Sequence, residues 1–246
     1  MCFSVRSTLV LFGCLVIAVT GARADTVPFV GCAVDGQVGP LAPPTEAAST
    51  LDLPPAIAAK LAYYASANIW VLGPRGWHCF GLYGSNGEKL FLTPEPHDSR
   101  DILSGSGRLV GPAIEYSNSV GGTSGRFEVA KVAARLFPVA KPFVEKVAAE
   151  GLEPKGDFVL APFPADRLTR VSDTVVEYVT PAGTDGMGTV SYLQKNGLPI
   201  SGVAALAMDD PSEIDLGKLD VRLPPEMQDL VPAILHNRPE PGGSRG

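Results

Sequence analysis

A chain of 246 residues that is 45% hydrophobic and 19% charged, with 20 Lys and Arg against 26 Asp and Glu, is neither intrinsically disordered nor a basic nucleic-acid binder. Its 27 glycines and 23 prolines make up about a fifth of the residues, which argues against a helical bundle or coiled coil and for a fold rich in turns.

The first two dozen residues report on compartment. Arg6 precedes an apolar run from Leu9 to Val19, and Ala22-Arg23-Ala24 places small residues at the two positions a signal peptidase inspects, so residues 1–24 are expected to be a signal peptide cleaved before Asp25. Leu11-Phe12-Gly13-Cys14 offers a lipoprotein alternative. Against it stand the bulky Phe12 and the continuation of the apolar run through Leu15-Val16-Ile17. Removing 24 residues leaves 222, and losing Arg6 and Arg23 moves the formal charge from −6 to −8. No later apolar run reaches the length of a membrane span, so a periplasmic or secreted protein is expected. Cys2 and Cys14 leave with the signal, and Cys32 and Cys79 remain as one expected disulfide. A nucleophilic Cys79 beside His78 is the sharper alternative, but adjacent strand residues point to opposite faces. Cys32, Cys79 and His78 also lack a fourth ligand for zinc.

Residues 33–56, with Asp35-Gly36, Gly39-Pro40 and Pro43-Pro44, read as an irregular surface arm. Pro54-Pro55 then opens an expected helix in which Ile57, Leu61 and Tyr64 recur at helical spacing. Ile69 to Leu72 reads as a strand. Trp77 to Tyr83 and Glu88 to Thr93 read as a hairpin around Gly84-Ser85-Asn86-Gly87. Pro94 to Gly111 is expected to be loop. The longest helical pattern runs from Phe127 to Phe137, and Lys141 to Glu150 gives a second helix, stopped at Gly151. Strands follow at Thr174 to Thr180, Val203 to Met208 and Lys218 to Leu223. A last helix follows Pro224-Pro225, with Met227, Leu230, Val231, Ile234 and Leu235 on its buried stripe. The expected fold is a single α+β domain over residues 25–236, an antiparallel or mixed sheet with three to four helices, ending in a disordered tail over 237–246.

The chemistry is read by elimination. The three histidines, His78, His97 and His236, show no zinc-hydrolase spacing, and no Gly-x-Ser-x-Gly, Walker A, Ser-x-x-Lys or EF-hand run occurs. No cofactor or metal is expected. The densest unusual segment is Gly73 to Gly87, where Arg75, Trp77, His78, Tyr83 and Asn86 are candidate ligand-binding residues. Trp77 and Tyr83 offer stacking faces and Arg75 can pair with an anion. In the plainer reading, Trp77 packs over the disulfide and Tyr83 covers the core edge. Gly121-Gly122-Thr123-Ser124-Gly125-Arg126 leads into a helix and could hold an anion or simply form a capped turn. The loop Thr180 to Thr189 carries Asp185 as its only ionisable group.

The strings Val27-Pro28-Phe29-Val30-Gly31-Cys32, Pro74-Arg75-Gly76-Trp77 through Cys79, Tyr83-Gly84-Ser85-Asn86-Gly87, Gly125-Arg126-Phe127 and Thr180-Pro181-Ala182-Gly183 resemble those of uncharacterised secreted bacterial proteins over most of the mature chain. The resemblance implies bacterial export and brings no catalytic residue with it. The resulting expectation is a non-catalytic exported protein that binds a small molecule, glycan or envelope partner through the aromatic, Gly-rich hairpin. The alternative is a secreted hydrolase whose site is assembled only in the fold, with His78, His97, Asp98 and Asp185 as candidates.

Overall fold

The computed structural model describes residues 27–45, 53–104, 107–210 and 213–241; the expected signal peptide, with Cys2 and Cys14, lies outside the described residues. Among the described residues the fold is built from eleven strands and five α-helices. The strands are β1 (Phe29–Gly31), β2 (Val34–Gly36), β3 (Leu61–Ala65), β4 (Trp70–Pro74), β5 (His78–Gly84), β6 (Gly87–Thr93), β7 (Ala113–Ser119), β8 (Arg167–Arg170), β9 (Val175–Thr180), β10 (Ile200–Asp210) and β11 (Glu213–Arg222). The helices are α1 (Pro55–Ala58), α2 (Ser99–Leu103), α3 (Arg126–Leu136), α4 (Lys141–Ala149) and α5 (Val231–His236).

Eight strands form one sheet in the order β2-β5-β6-β7-β11-β10-β9-β8, antiparallel except where β2 runs parallel to β5. A second sheet, β1-β3-β4, pairs β1 parallel and β4 antiparallel to β3. The large sheet has apolar side chains of one parity, Leu90, Leu92, Ile114, Leu219 and Val221, in a core shared with the small sheet and α5. On the opposite parity its two ends are covered separately. Ala204, Leu206, Leu216 and Tyr178 pack under the α3–α4 helix pair, whereas Phe80, Leu82 and Phe91 pack with Leu109 and Leu193. Between those two apolar patches the sheet carries charge.

The chain is α+β, but it differs in detail from what the sequence predicts. Two sheets form where one was expected, and five α-helices occur among the described residues where three to four were expected. The helix expected from Ile57 through Tyr64 is only α1, followed at once by β3; pairing of Tyr63 and Tyr64 with β1 on one side and β4 on the other overrides the helical spacing. The segment Pro94 to Gly111 contains α2, capped by Asp98, whose carboxylate accepts from the Arg100 backbone N–H at 2.9 Å. Of the tail expected to be disordered over 237–246, residues 237–241 are described and include Pro239 and Pro241, both buried, while 242–246 lie outside the described residues.

The β5–β6 hairpin turns through Ser85-Asn86. Gly87 follows at φ +130°, and a Cβ there would stand 1.9 Å from the Asn118 carbonyl oxygen, so a side chain is excluded twice over. The Cys32–Cys79 disulfide forms, with a Cα–Cα distance of 5.5 Å. Cys32 lies just after β1 of the small sheet and Cys79 lies in β5 of the large one, so the bond staples the two sheets together.

Candidate functional site

Strand register sets two rows of side chains across the polar stretch of the large sheet. Lys89 on β6, Ser117 on β7 and Lys218 on β11 stand directly opposite one another. One row along stand Phe91, Glu115, Asp220, Gly202 and Tyr178. Directly opposed residues have Cβ atoms roughly 5 Å apart, so these groups act on one another. Gly202 is needed for the second row: a Cβ there would meet Tyr178 Cζ at 2.3 Å. The ring crosses the glycine instead, and its hydroxyl donates to Asp220 Oδ1 at 2.5 Å.

Helix α3 lays Glu128 over the first row. Lys89 Nζ lies 2.6 Å from Glu128 Oε1, Lys218 pairs with Asp220, and the Tyr192 backbone N–H donates to Glu115 Oε2 at 2.8 Å. The cluster thus sets three carboxylates, Glu115, Glu128 and Asp220, against two lysines, Lys89 and Lys218. Burial works against the Lys89 charge, but Glu128 and Glu115 outweigh it and hold its pKa above the ordinary lysine value. Burial also opposes the Glu128 carboxylate, and Lys89 overcomes it, so Glu128 titrates below the usual range. Glu115 goes the other way. Burial, reinforced by Asp220, pushes its pKa up to about 7 against the pull of Lys89 and Lys218. Burial likewise raises Asp220.

Three members of the cluster, Lys89, Glu115 and Glu128, line an open cleft of about 570 Å³, within the size range of small-molecule sites. Its walls are the hairpin tip, with Ser85 and Asn86; the start of α3, with Ser124 and Phe127; and the segment Val190 to Tyr192. A smaller pocket of about 140 Å³ shares Asn86, Lys89, Glu128 and Tyr192 with it. At the outer rim Lys131 bridges Glu153 and Asp157, each at 2.9 Å. A larger groove of about 710 Å³ beside the disulfide, lined by Asp35, His97, Asp98 and Arg100, is more open, and none of those charged groups is buried. Among the described residues, no group of three His, Cys, Asp or Glu is placed to hold a metal ion.

The five residues singled out in the sequence do not all share one surface. Arg75 is exposed and reaches the Ala58 carbonyl at 3.4 Å. Trp77 is buried, its backbone N–H donating to the Tyr64 hydroxyl at 3.0 Å. His78 is exposed. Tyr83 is half-buried and holds the N-terminal arm, donating to the Gly39 carbonyl at 2.7 Å. Asn86 alone of the five lines the larger cleft, and Tyr83 joins it in the smaller pocket beside Lys89 and Glu128. The Gly121 to Arg126 loop turns into α3, with Thr123 Oγ1 accepting from the Gly125 N–H and Arg126 paired with Glu150 at 2.8 Å. Asp185 is paired with Lys195 at 2.6 Å. His236 Nδ1 lies 2.8 Å from the Pro232 carbonyl, and no hydrogen bond among the described residues joins a histidine to a serine, cysteine or carboxylate.

Lys89, Glu115, Glu128, Lys218 and Asp220 were not among the sequence candidates. The signal that points to them is the run Lys218-Leu219-Asp220-Val221-Arg222, charged on one strand parity and apolar on the other. Such a pattern ordinarily means a solvated face; here α3 and the segment around Tyr192 cover it.

The raised pKa of Glu115 has a measurable sign. Between its ordinary value of 4.5 and about 7 the folded chain holds a proton that the unfolded chain releases, so this group makes stability fall as pH rises through that window. The size is about 3 kcal/mol, fully lost above pH 7. Glu115→Gln is expected to remove that component, leaving a flatter profile and a variant at least as stable as the parent at pH 8. Urea unfolding at pH 5 and pH 8 checks it, and an unchanged difference between the two pH values would remove Glu115 as the cause.

No family model matches the chain, and neither does any curated protein or solved structure.

Proposed function

We propose that this is an exported bacterial protein that binds a neutral, hydroxyl-rich small molecule of the carbohydrate class in the cleft between the hairpin tip, α3 and Tyr192. One observation supports export: the disulfide suits an oxidising compartment. The observation that carries the ligand class is the lining of the cleft. Its buried charges are nearly balanced, which disfavours a strongly charged ligand, while Ser85, Asn86 and Ser124 offer uncharged donors and acceptors. Paired carboxylates and ammonium groups keep spare lone pairs and protons for hydroxyls, and the Tyr192 and Phe127 rings give apolar walls against which a sugar face can lie. The hairpin contributes through its tip, because Trp77 is committed to the core and Tyr83 to the arm.

A thermal-shift screen of mono- and oligosaccharides on the mature protein tests this. A ligand at a hundred times its Kd is expected to stabilise the native state by about 2.7 kcal/mol. The double variant Asn86→Ala, Ser124→Ala, in which both substituted residues are on the rim, is expected to fold normally and lose most of that shift. Carbohydrate shifts that persist in the double variant would place the ligand elsewhere; a response confined to charged ligands would overturn the class.

A further inference from the structure

The cleft holds more than a binding surface needs. Glu115 rises into it from β7 on the floor, and Glu128 enters from α3 on the wall. Both carboxyls line the same cleft, and Lys89, which pairs with Glu128, also acts on the Glu115 charge. Their settings are opposite. Glu115 is 2% exposed, and its one described donor is the Tyr192 N–H. The Glu128 side chain is 32% exposed and is held by an ammonium group at 2.6 Å. With three carboxylates against two lysines, the cluster has room for one extra proton.

We propose that the cleft hydrolyses glycosidic bonds, with Glu115 as the general acid and Glu128 as the general base; this rests on reading the cleft as a carbohydrate site. The Glu115 proton passes to the glycosidic oxygen as its bond to the anomeric carbon breaks, and the departing sugar leaves as an alcohol. A water molecule adds its oxygen to the anomeric carbon and gives its proton to the Glu128 carboxylate. Return of that proton through solvent to Glu115 restores the starting state, so no oxidant, reductant or further reactant is needed. The environments supply the required protonation states at neutral pH, since burial keeps the Glu115 carboxyl protonated up to about 7 while Lys89 holds Glu128 ionised. Lys89 is then a positioning residue. It fixes Glu128 and keeps it charged.

The experiment incubates the mature protein with a panel of oligosaccharides and with nitrophenyl glycosides of both anomeric forms, reading reducing ends and nitrophenol. Wild type is expected to cleave at least one substrate, with kcat/KM falling on the alkaline side near pH 7. Glu128→Gln is expected to lose at least about a hundredfold on every substrate. Glu115→Gln is expected to lose a similar factor on oligosaccharides and much less on nitrophenyl glycosides, whose leaving group departs without a proton. A merely structural role would not produce that split, and circular dichroism of both variants separates it from misfolding. A sugar that shifts the melting temperature and loses that shift in the rim double variant, yet is not cleaved by wild type, overturns hydrolysis and leaves the binding reading standing. Absence of both binding and cleavage across the panel overturns both, and cleavage unaffected by either glutamate substitution overturns the residue assignment.

Discussion

Replacement of Arg222 by methionine is expected to lower the free energy of unfolding by about 3–5 kcal/mol. The side chain is fully buried, and its guanidinium donates to the carbonyls of Gly111, Leu109 and Gln194, at 2.8 Å from Nε to Gly111 and 2.7 Å to Leu109. Burial lowers its pKa to about 10, still well above neutrality, so the charge is retained. Methionine has similar bulk and no donor, so the substitution leaves buried acceptors unpaired rather than opening a large cavity. The Gln194 carbonyl belongs to the segment whose residues Val190 to Tyr192 wall the cleft, and Leu109 and Gly111 lie on the neighbouring segment bonded to it. Leu109 accepts from the Gln194 N–H and donates to the Tyr192 carbonyl, so the fork holds the strand-like contact beside Tyr192 in place. Urea unfolding measures the loss, and a change below about 1 kcal/mol would mean that the two segments hold each other without the arginine. In a variant that remains folded, ligand affinity is expected to weaken as well, although Arg222 is not among the cleft-lining residues.

The second large effect is expected from the disulfide. Replacing both Cys32 and Cys79 by serine opens a loop of 47 residues, and the chain-entropy model assigns about 4 kcal/mol to that closure. The staple sits where the N-terminal arm is tied to each sheet by a short ladder: β1 pairs with β3 of the small sheet over three residues, and β2 pairs with β5 of the large sheet over three. Without it, the N-terminal arm is held by those two ladders, the Cys32 N–H to Ala65 carbonyl bond at 2.7 Å, and Tyr83. Unfolding of the oxidised parent against the double serine variant gives the difference directly. Titration of two reactive thiols in the unreduced, denatured mature protein would show that the bond is not made in solution.

Parts of this architecture are readable in the sequence because the deciding interactions are local. The hairpin is fixed by Ser85-Asn86 and by the positive φ of Gly87, and α3 by its apolar spacing and the proline that follows it at Pro138. Other parts are decided across the chain. Leu61-Ala62-Tyr63-Tyr64-Ala65 continues a helical spacing from Ile57, and only the neighbouring strands β1 and β4 make it a strand. The strand β7 alternates Ile114 and Tyr116 with Glu115 and Ser117, a period-two signal partly masked by its polar C-terminal half. The cleft floor is harder still. Its charges come from β6, β7 and α3, and the sequence does not say which parity of those strands a helix will cover. A lysine or glutamate in a strand reads as solvent-facing until α3 is seen to lie across it. The hairpin aromatics drew attention for the opposite reason, since large rings are conspicuous in sequence whether they bind a ligand or fill a core.

The order of strands also has a consequence in time. The central β7–β11 pairing joins Ala113 to Arg222 and Ser119 to Leu216, partners about a hundred residues apart. At about 5–20 residues per second, ribosomal synthesis separates them by roughly 5–20 seconds. Until β11 emerges, the β5-β6-β7 half-sheet has an open edge at the middle of the future sheet, with Glu115 and Ser117 interleaved between Ile114 and Tyr116. Non-local pairing of this kind slows folding. A chain that cannot finish its sheet before its last quarter is made stays unfinished for most of its synthesis, the state in which the export proposed above would find it.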